Sequence, residues 1–301
     1  MKKTKSDRFY FWLFLAPALL SFVIVVIIPF IMGIYYSLTD WTAVAGITPN
    51  WVGFDNYKEM FSDLAFRYSF IRTFLFTILS VISINFMALL FAFLVTREIK
   101  LKNFFRAGFF IPNLIGGLVL GYIWQFIFKN VIPSIGGLLG IPALEELLLL
   151  ADPTLALFGL IFAFTWQYAG YIMMIYIAAL LNVPQELLEA AEIDGANFFQ
   201  KFRNITMPMI AQAFTITSFL TLVNSFKQYD IIIALTKGGP STLFNGEIVN
   251  STEMLAVHIY NVAFKYNDMA QGQARAIIFF LVLSVVSIGQ VYFSKKREVE
   301  M

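Results

Sequence analysis

Two groups of uncharged polar side chains interrupt long apolar runs of this chain. One is Gln167, Tyr168 and Tyr171, flanked by Phe164 and Trp166. The other is Asn224, Ser225 and Gln228, with Tyr229 beside it. Amides and hydroxyls hydrogen-bond sugar hydroxyls, and aromatic rings cover the C–H faces of a sugar ring. Tyr168 and Tyr171 are three residues apart and Asn224 and Gln228 four apart, so each pair shares one face of a helix. A sugar-binding face is the chemistry these residue types favour. The plainer alternative is hydrogen bonding between packed helices, at about 0.6–2 kcal/mol per contact in a membrane.

A second informative segment is polar and lies between apolar runs. Residues 182–208 read NVPQELLEAAEIDGANFFQKFRNITMP. Pro184 suits the first turn of a helix, and Glu186 and Glu189 face the positive end of its dipole. The spacing predicts that this helix runs through Ile193 and stops at Asp194-Gly195, where glycine takes the left-handed conformation at low cost. Asn197 can cap a second short helix carrying Phe198, Phe202 and Ile205 on one side, and Pro208 opens the next apolar helix. Ala190, Ala191 and Ala196 allow close approach by another surface. Taken alone, this is equally a capped surface connection.

The elements that must position these residues are membrane helices. Hydrophobic residues make up 59% of the 301, against about 45–50% in soluble domains, and Asp, Glu, Lys and Arg only 13%, against about 25%. So few charges cannot cover a soluble surface. Segments free of charge run at 11–38, 73–95, 109–128, 155–181, 209–226 and 276–294. Each meets or approaches the ~20 residues that cross a bilayer as helix. They are continuous runs, not the alternating strands of a membrane barrel. The first is too long for a signal-peptide core and has no small-residue cleavage site, so it reads as a retained helix. The expected architecture is all-α and polytopic, with six transmembrane helices in a single domain over 1–301.

Basic residues set the expected orientation. Lys2, Lys3, Lys5 and Arg8 precede the first span. Arg97, Lys100, Lys102 and Arg106 follow the second, Lys201 and Arg203 follow the fourth, and Lys295, Lys296 and Arg297 follow the sixth. The opposite loops carry fewer, and longer, mixed sequences. Both termini are therefore expected in the cytoplasm. Among the outer loops, 129–154 holds Gly136-Gly137 and the apolar Leu147 to Leu150, which is expected to form a short outer helix. Residues 227–275 form the longest loop, with a Gly238-Gly239-Pro240 turn.

Several functions are excluded. A net charge of +2 is too small to suggest nucleic-acid binding, and the absence of cysteine removes disulfides, thiolate metal sites and cysteine nucleophiles. A single histidine, His258, excludes multi-histidine metal sites. All 19 acids fall outside the six uncharged segments, which disfavours an ion-coupled carrier. No pair of Gly/Pro-broken helices is evident at matching positions. No phosphate-binding Walker loop is present, and no catalytic constellation stands out. Gly117 and Gly121, four apart in the third span, read as helix-packing residues.

The polar loop carries a resemblance. Glu189-Ala190-Ala191, Asp194-Gly195-Ala196, Phe202, Ile205 and Pro208 resemble the EAA loop of ATP-binding-cassette importer permeases. Trp51-Val52-Gly53-Phe54-Asp55-Asn56-Tyr57 looks like the stretch after the first helix in carbohydrate permeases. Phe105-Arg106 through Phe110-Ile111-Pro112, Leu235-Thr236-Lys237-Gly238-Gly239-Pro240, and Tyr260 with Phe264 resemble further motifs of that family. The set is similar to the shorter, six-span MalF/UgpA-like subunit; Arg72-Thr73 departs from a common Asn-Thr. The resemblance implies the type I importer permease fold, and makes residues 184–208 a coupling loop that docks on an ATPase through Glu189, Ala190, Ala191, Asp194, Gly195, Ala196, Phe202 and Pro208. It implies a MalG-like second permease, two ATPase subunits, an extracytoplasmic binding protein, and a sugar or oligosaccharide held by Gln167, Tyr168, Tyr171, Asn224, Ser225 and Gln228. It implies no enzyme activity and no cofactor on this chain, with ATP and magnesium on the partner ATPase. The alternatives are an ion-coupled secondary carrier and a permease for glycerol-phosphate.

Overall fold

The computed structural model describes residues 5–44, 46, 48–97 and 100–296, and the side chains of all of these but 5–9. Lys2, Lys3 and Arg297, and the side chains of Lys5 and Arg8, lie outside what is described. Helix α1 (Lys5–Phe22) passes through a wider π-type turn at Val23–Ile27 into α2 (Ile28–Tyr36). After α3 (Asp55–Ser62) comes the long α4 (Leu64–Thr96). Helices α5 (Lys102–Leu114), α6 (Gly117–Phe126), α7 (Ile132–Leu139) and the short α8 (Pro142–Glu145) follow. Helix α9 (Pro153–Leu181) is capped by the Asp152 carboxylate, which accepts from the amides of Thr154 and Leu155. The polar segment forms α10 (Gln185–Ile193), α11 (Phe198–Lys201) and α12 (Met207–Met209). Helices α13 (Ala211–Phe226) and α14 (Asp230–Leu235) lead to a hairpin of β1 (Ser241–Phe244) and β2 (Glu247–Asn250), then α15 (Leu255–Tyr260) and α16 (Met269–Lys295).

Among the described residues, Tyr10–Tyr36, Leu64–Thr96, Gly117–Leu139, Pro153–Leu181 and Met269–Lys295 are each long and apolar enough to cross a bilayer. Phe198–Met209 and Ala211–Phe226 reach that length only as a pair, bent by 71°, and bring the number to six if counted as one. The bend falls at Ile210, whose φ of −94° and ψ of 8° lie outside the α-helical range. The next apolar helix therefore begins at Ala211 rather than at Pro208.

The chain forms two compact units. The first takes in the chain up to Asp63 together with Ile259–Phe280. Here the Asn56 amide donates to the Ser37 and Thr39 carbonyls, at 2.8 and 2.7 Å, closing the C-terminal end of α2. Tyr57 Oη bonds Ser37 Oγ at 2.7 Å. Gln271 donates to Glu59 at 2.7 Å, and Arg275, one turn on, donates to Asp63 at 2.8 Å. The Trp51-to-Tyr57 stretch is thus a structural clamp. Helix α1 keeps most of its apolar side chains exposed, as a lipid- or protein-facing helix must.

The second unit, Leu64–His258 with Leu281 onward, is built on α4 packed along α9. Phe76, Ile84, Phe164, Ile172 and Tyr176 fill the seam. A neutral network crosses it: Tyr176 Oη donates to Asn85 Oδ1 and accepts from Thr217 Oγ1, both at 2.8 Å, while Asn85 Nδ2 donates to Thr221 Oγ1 at 3.1 Å. Gly170 lets α9 press onto α5, since a β-carbon there would lie 1.7 Å from the Phe109 carbonyl oxygen. Arg72, the departure noted above, ties α4 to the carbonyls of Ser251 and Pro153, at 2.8 and 3.0 Å.

Two expectations are corrected, and one element is added. The third span is not one helix over 109–128: Ile115 and Gly116 are extended, separating α5 from α6. Leu147 to Leu150 do not form a helix; the short outer helix is Pro142–Glu145, and Leu149 and Leu150 instead pack against the core, Leu149 over Gly159. The outer loop after Gly238-Gly239-Pro240 contains the β-hairpin, whose Asn245-Gly246 tip takes positive φ at both residues, as tight hairpin turns require.

Candidate functional site: a helix crossing and a polar loop

Helix α10 ends in a closed C-cap. Gly195 has φ of +79°, its N–H donates to Glu192, and the Ala196 N–H donates back to Ala191 at 2.8 Å. Asn197 then opens α11 with a capping box: its side chain accepts from Gln200 N, and Gln200 returns the bond. Lys201 pairs with Glu192, linking the two helices across the turn. Phe198 and Phe202 stack with centroids 6.4 Å apart, and Phe93 of α4 meets Phe202 edge-on at 5.5 Å. Phe202 is thus the root that fixes the loop to α4. Leu187, Ile193, Phe198 and Phe199 are exposed apolar groups around the turn, with Glu189, Ala190 and Asp194 exposed among them. Glu189 is held by Gln185 at 2.7 Å. Ala191, Ala196 and Pro208 are half-buried.

The second region lies at the break of the third span. Gln167, buried in α9, donates to the Ile115 carbonyl at 3.0 Å, satisfying an acceptor the break has freed. Helix α6 then packs on α14 through one face. A β-carbon at Gly117 would sit 2.8 Å from Asp230 Cβ, and one at Gly121 would sit 2.5 Å from Ala234 Cβ. Gln125, one turn further, donates to the Ala234 and Leu235 carbonyls at 3.1 and 2.8 Å. The Gly117/Gly121 spacing is the helix-packing device expected from the sequence.

These contacts fix depth. Gly117 opens the apolar helix Gly117–Leu139, two residues after Ile115, whose carbonyl accepts from Gln167. Gln167 is near the middle of Pro153–Leu181. Asp230, over Gly117, therefore lies close to the level of Gln167, beside the middle of the fourth apolar helix. Sequence reading missed it because Asp230 follows the uncharged run 209–226. The available signal was its position between that run and the apolar Ile231–Leu235.

The six polar residues fall as follows. Tyr168 and Tyr171 are half-buried on one face of α9; Tyr168 packs on Phe164 at 4.6 Å and lies within electrostatic range of Tyr171 and Asp230. Asn224 is half-buried on α13. Ser225 is buried and donates to the Thr221 carbonyl at 2.6 Å. Gln228 is buried in the turn between α13 and α14. Trp166 belongs to a different face, crossing Trp124 edge-on at 5.4 Å beside an apolar cavity of about 840 Å³. Among the described residues no group of acids and histidines is arranged to hold a metal ion.

Residues 84–299 match the family of binding-protein-dependent transport system inner membrane components. The probable starch degradation products transport system permease protein AmyD of Thermoanaerobacterium thermosulfurigenes is 45% identical, over 100% of this chain and 99% of its own. The multiple sugar-binding transport system permease protein MsmF of Streptococcus mutans is 32% identical, over 97% and 98%. In three dimensions the chain is similar to a subunit of a bacterial ABC transporter involved in the import of the acidic polysaccharide alginate. That match has a TM-score of 0.79 and 20% identity, covering 97% of this chain and 96% of the other. It shows the fold of an importer permease. With a family match across well over half its length and a relative at 45% identity throughout, the chain is a multi-pass membrane component of the binding-protein-dependent transport system family.

Proposed function

We propose that the chain is one of two different permease subunits of an ATP-driven importer for a sugar or oligosaccharide, acting as a single permease domain. A MalG-like permease would complete the pathway. An extracytoplasmic binding protein would deliver the sugar, and two ATPase subunits, carrying ATP and magnesium, would dock on the 184–208 loops. Both termini would be cytoplasmic. ATPase closure would push on α10 and α11, and Phe202 would pass the push to α4. The helices would then rock between inward- and outward-facing arrangements.

The observation that carries this reading is the loop: a self-closed pair of short helices, rooted by Phe202 and ringed by exposed apolar side chains beside Gly195. The sugar assignment draws on the names of AmyD and MsmF and on the uncharged polar groups of α9 and α13. Purified complex in proteoliposomes tests it. Uptake of neutral oligosaccharide should require internal ATP and external binding protein; uptake confined to glycerol-phosphate would refute the sugar reading. Orientation is checked separately. Cysteines at 103 and 200 should resist an impermeant thiol reagent on intact cells, while those at 50 and 245 should react.

A further inference from the structure

Asp230 lies beside the middle of an apolar helix long enough to cross a bilayer, and its surroundings point to what it meets. Asp230 is exposed, and among the described residues it accepts no hydrogen bond and makes no ion pair. Lys227, exposed at the end of α13, is the nearest charged residue along the chain, and no ion pair joins the two. The Asp230 side chain lies over Gly117, where the absence of a β-carbon leaves room for it, and Tyr168 of α9 is within electrostatic range. The α5–α6 break, fastened by Gln167 to the Ile115 carbonyl, opens the third span at this level. Ionisable groups at membrane depth are costly, and they face water-filled paths or partners. A carboxylate exposed here, with no ion pair among the described residues, is placed to face a water-filled path in which a ligand can donate hydrogen bonds to it.

We propose that Asp230 is a specificity-determining residue of the translocation path, accepting hydrogen bonds from adjacent hydroxyls of a neutral sugar beside Tyr168, and disfavouring anionic substrates. The inference rests on the sugar reading above and narrows it. An ionised carboxylate only accepts, and its two oxygens match a pair of vicinal hydroxyl donors. Charge-assisted bonds of this kind are about twice as strong as neutral ones. The same negative charge repels a carboxylate or phosphate brought close in a narrow passage, where contact distances are shorter than the screening length. Neither property follows from Gln167, whose amide N–H is engaged by Ile115, nor from Ser225, whose hydroxyl is engaged by Thr221.

The test uses the complete transporter in proteoliposomes with its binding protein saturating. A panel of neutral di- and trisaccharides is offered, each beside its aldonate, in which the reducing-end sugar is oxidised to a carboxylate. Wild type should import at least one neutral member and favour it over its aldonate. Asp230→Asn should lower neutral uptake at least fivefold and lower the neutral-to-aldonate ratio at least tenfold. Asp230→Glu should keep the ratio near wild type. Binding-protein-stimulated ATP hydrolysis should persist in both variants. If wild type imports a neutral sugar and Asp230→Asn leaves rate and ratio unchanged, the role of Asp230 is overturned while the sugar reading stands. If wild type imports no neutral sugar, the sugar reading falls and takes this inference with it. If Asp230→Asn no longer co-purifies with its partners, Asp230 is a structural residue and the proposal is overturned.

Discussion

The polar loop at 184–208 and the helix crossing at Gln167 are built in opposite ways. In residues 184–208 nearly every polar contact is local: the Gly195 turn, the Asn197–Gln200 box and the Glu192–Lys201 pair close within ten positions of chain. At the crossing, each contact joins distant segments. Gln167 meets Ile115, Gln125 meets Ala234 and Leu235, and Gly117 meets Asp230. A locally specified loop keeps its shape while presenting a surface to a separate subunit. A crossing specified by tertiary contacts changes when helices move against one another, which is what a transport path must do.

The largest effect is expected from breaking the local region. Gly195→Asp puts a β-carbon at φ +79°, a conformation that costs about 1–2 kcal/mol for an ordinary residue. It also adds a charge to the exposed turn between Ile193 and Phe198. No atom within 4 Å opposes the side chain, so the fold should survive. Membrane insertion should be normal, and coupled uptake should be almost abolished through weaker ATPase attachment or stimulation. Wild-type sugar-dependent ATP hydrolysis and uptake in this variant would count heavily against the docking role.

A smaller effect is expected at the crossing. Tyr171→Ala or Gln228→Ala would leave sugar hydroxyls partly unpaired, at about 1–3 kcal/mol. That corresponds to roughly 5- to 150-fold in affinity. Uptake should fall while assembly and binding-protein-stimulated hydrolysis remain. If both variants transport at wild-type rates across sugar concentrations, the comparison must be redrawn with the sugar path on the partner permease.

This contrast also governs what could be read from sequence. Pro184, Asp194-Gly195 and Asn197 announce the loop because capping is a short-range rule, and the structure reproduces it almost residue for residue. The uncharged runs announce the membrane helices equally well. The break at Ile115–Gly116 was not legible, since Pro112 and Gly116-Gly117 are tolerated within membrane helices and the group that holds the break, Gln167, is 52 residues away. Asp230 is illegible for the same reason: hydropathy puts it beyond a span, and only the packing of α14 on α6 sets it beside the middle of α9. The β-hairpin went unread although Asn245-Gly246 is a strong turn signal.

Gln167→Met sharpens the comparison further, with a stability effect rather than a transport one. It keeps volume but removes the donor to the Ile115 carbonyl, leaving a buried acceptor unpaired at about 1–3 kcal/mol. The thermal midpoint of the purified complex should fall below that of the wild type. Equal midpoints for variant and wild type would mean that Gln167 acts on sugar rather than on the break.

The smallest effect is expected at Phe22, in α1. Its side chain is 51% exposed, and the helix around it buries almost none of its apolar surface against the rest of this chain. Lipid solvates a truncated apolar side chain about as well as the full one, because no water is expelled when either is covered. Phe22→Ala should therefore leave uptake within about twofold of wild type and leave hydrolysis unchanged, separating a lipid-facing helix from both regions above. A severalfold loss, measured in the same proteoliposomes, would instead place this face of α1 against another subunit of the assembly. Packing lost at a protein seam is not returned by lipid when a cavity is left behind.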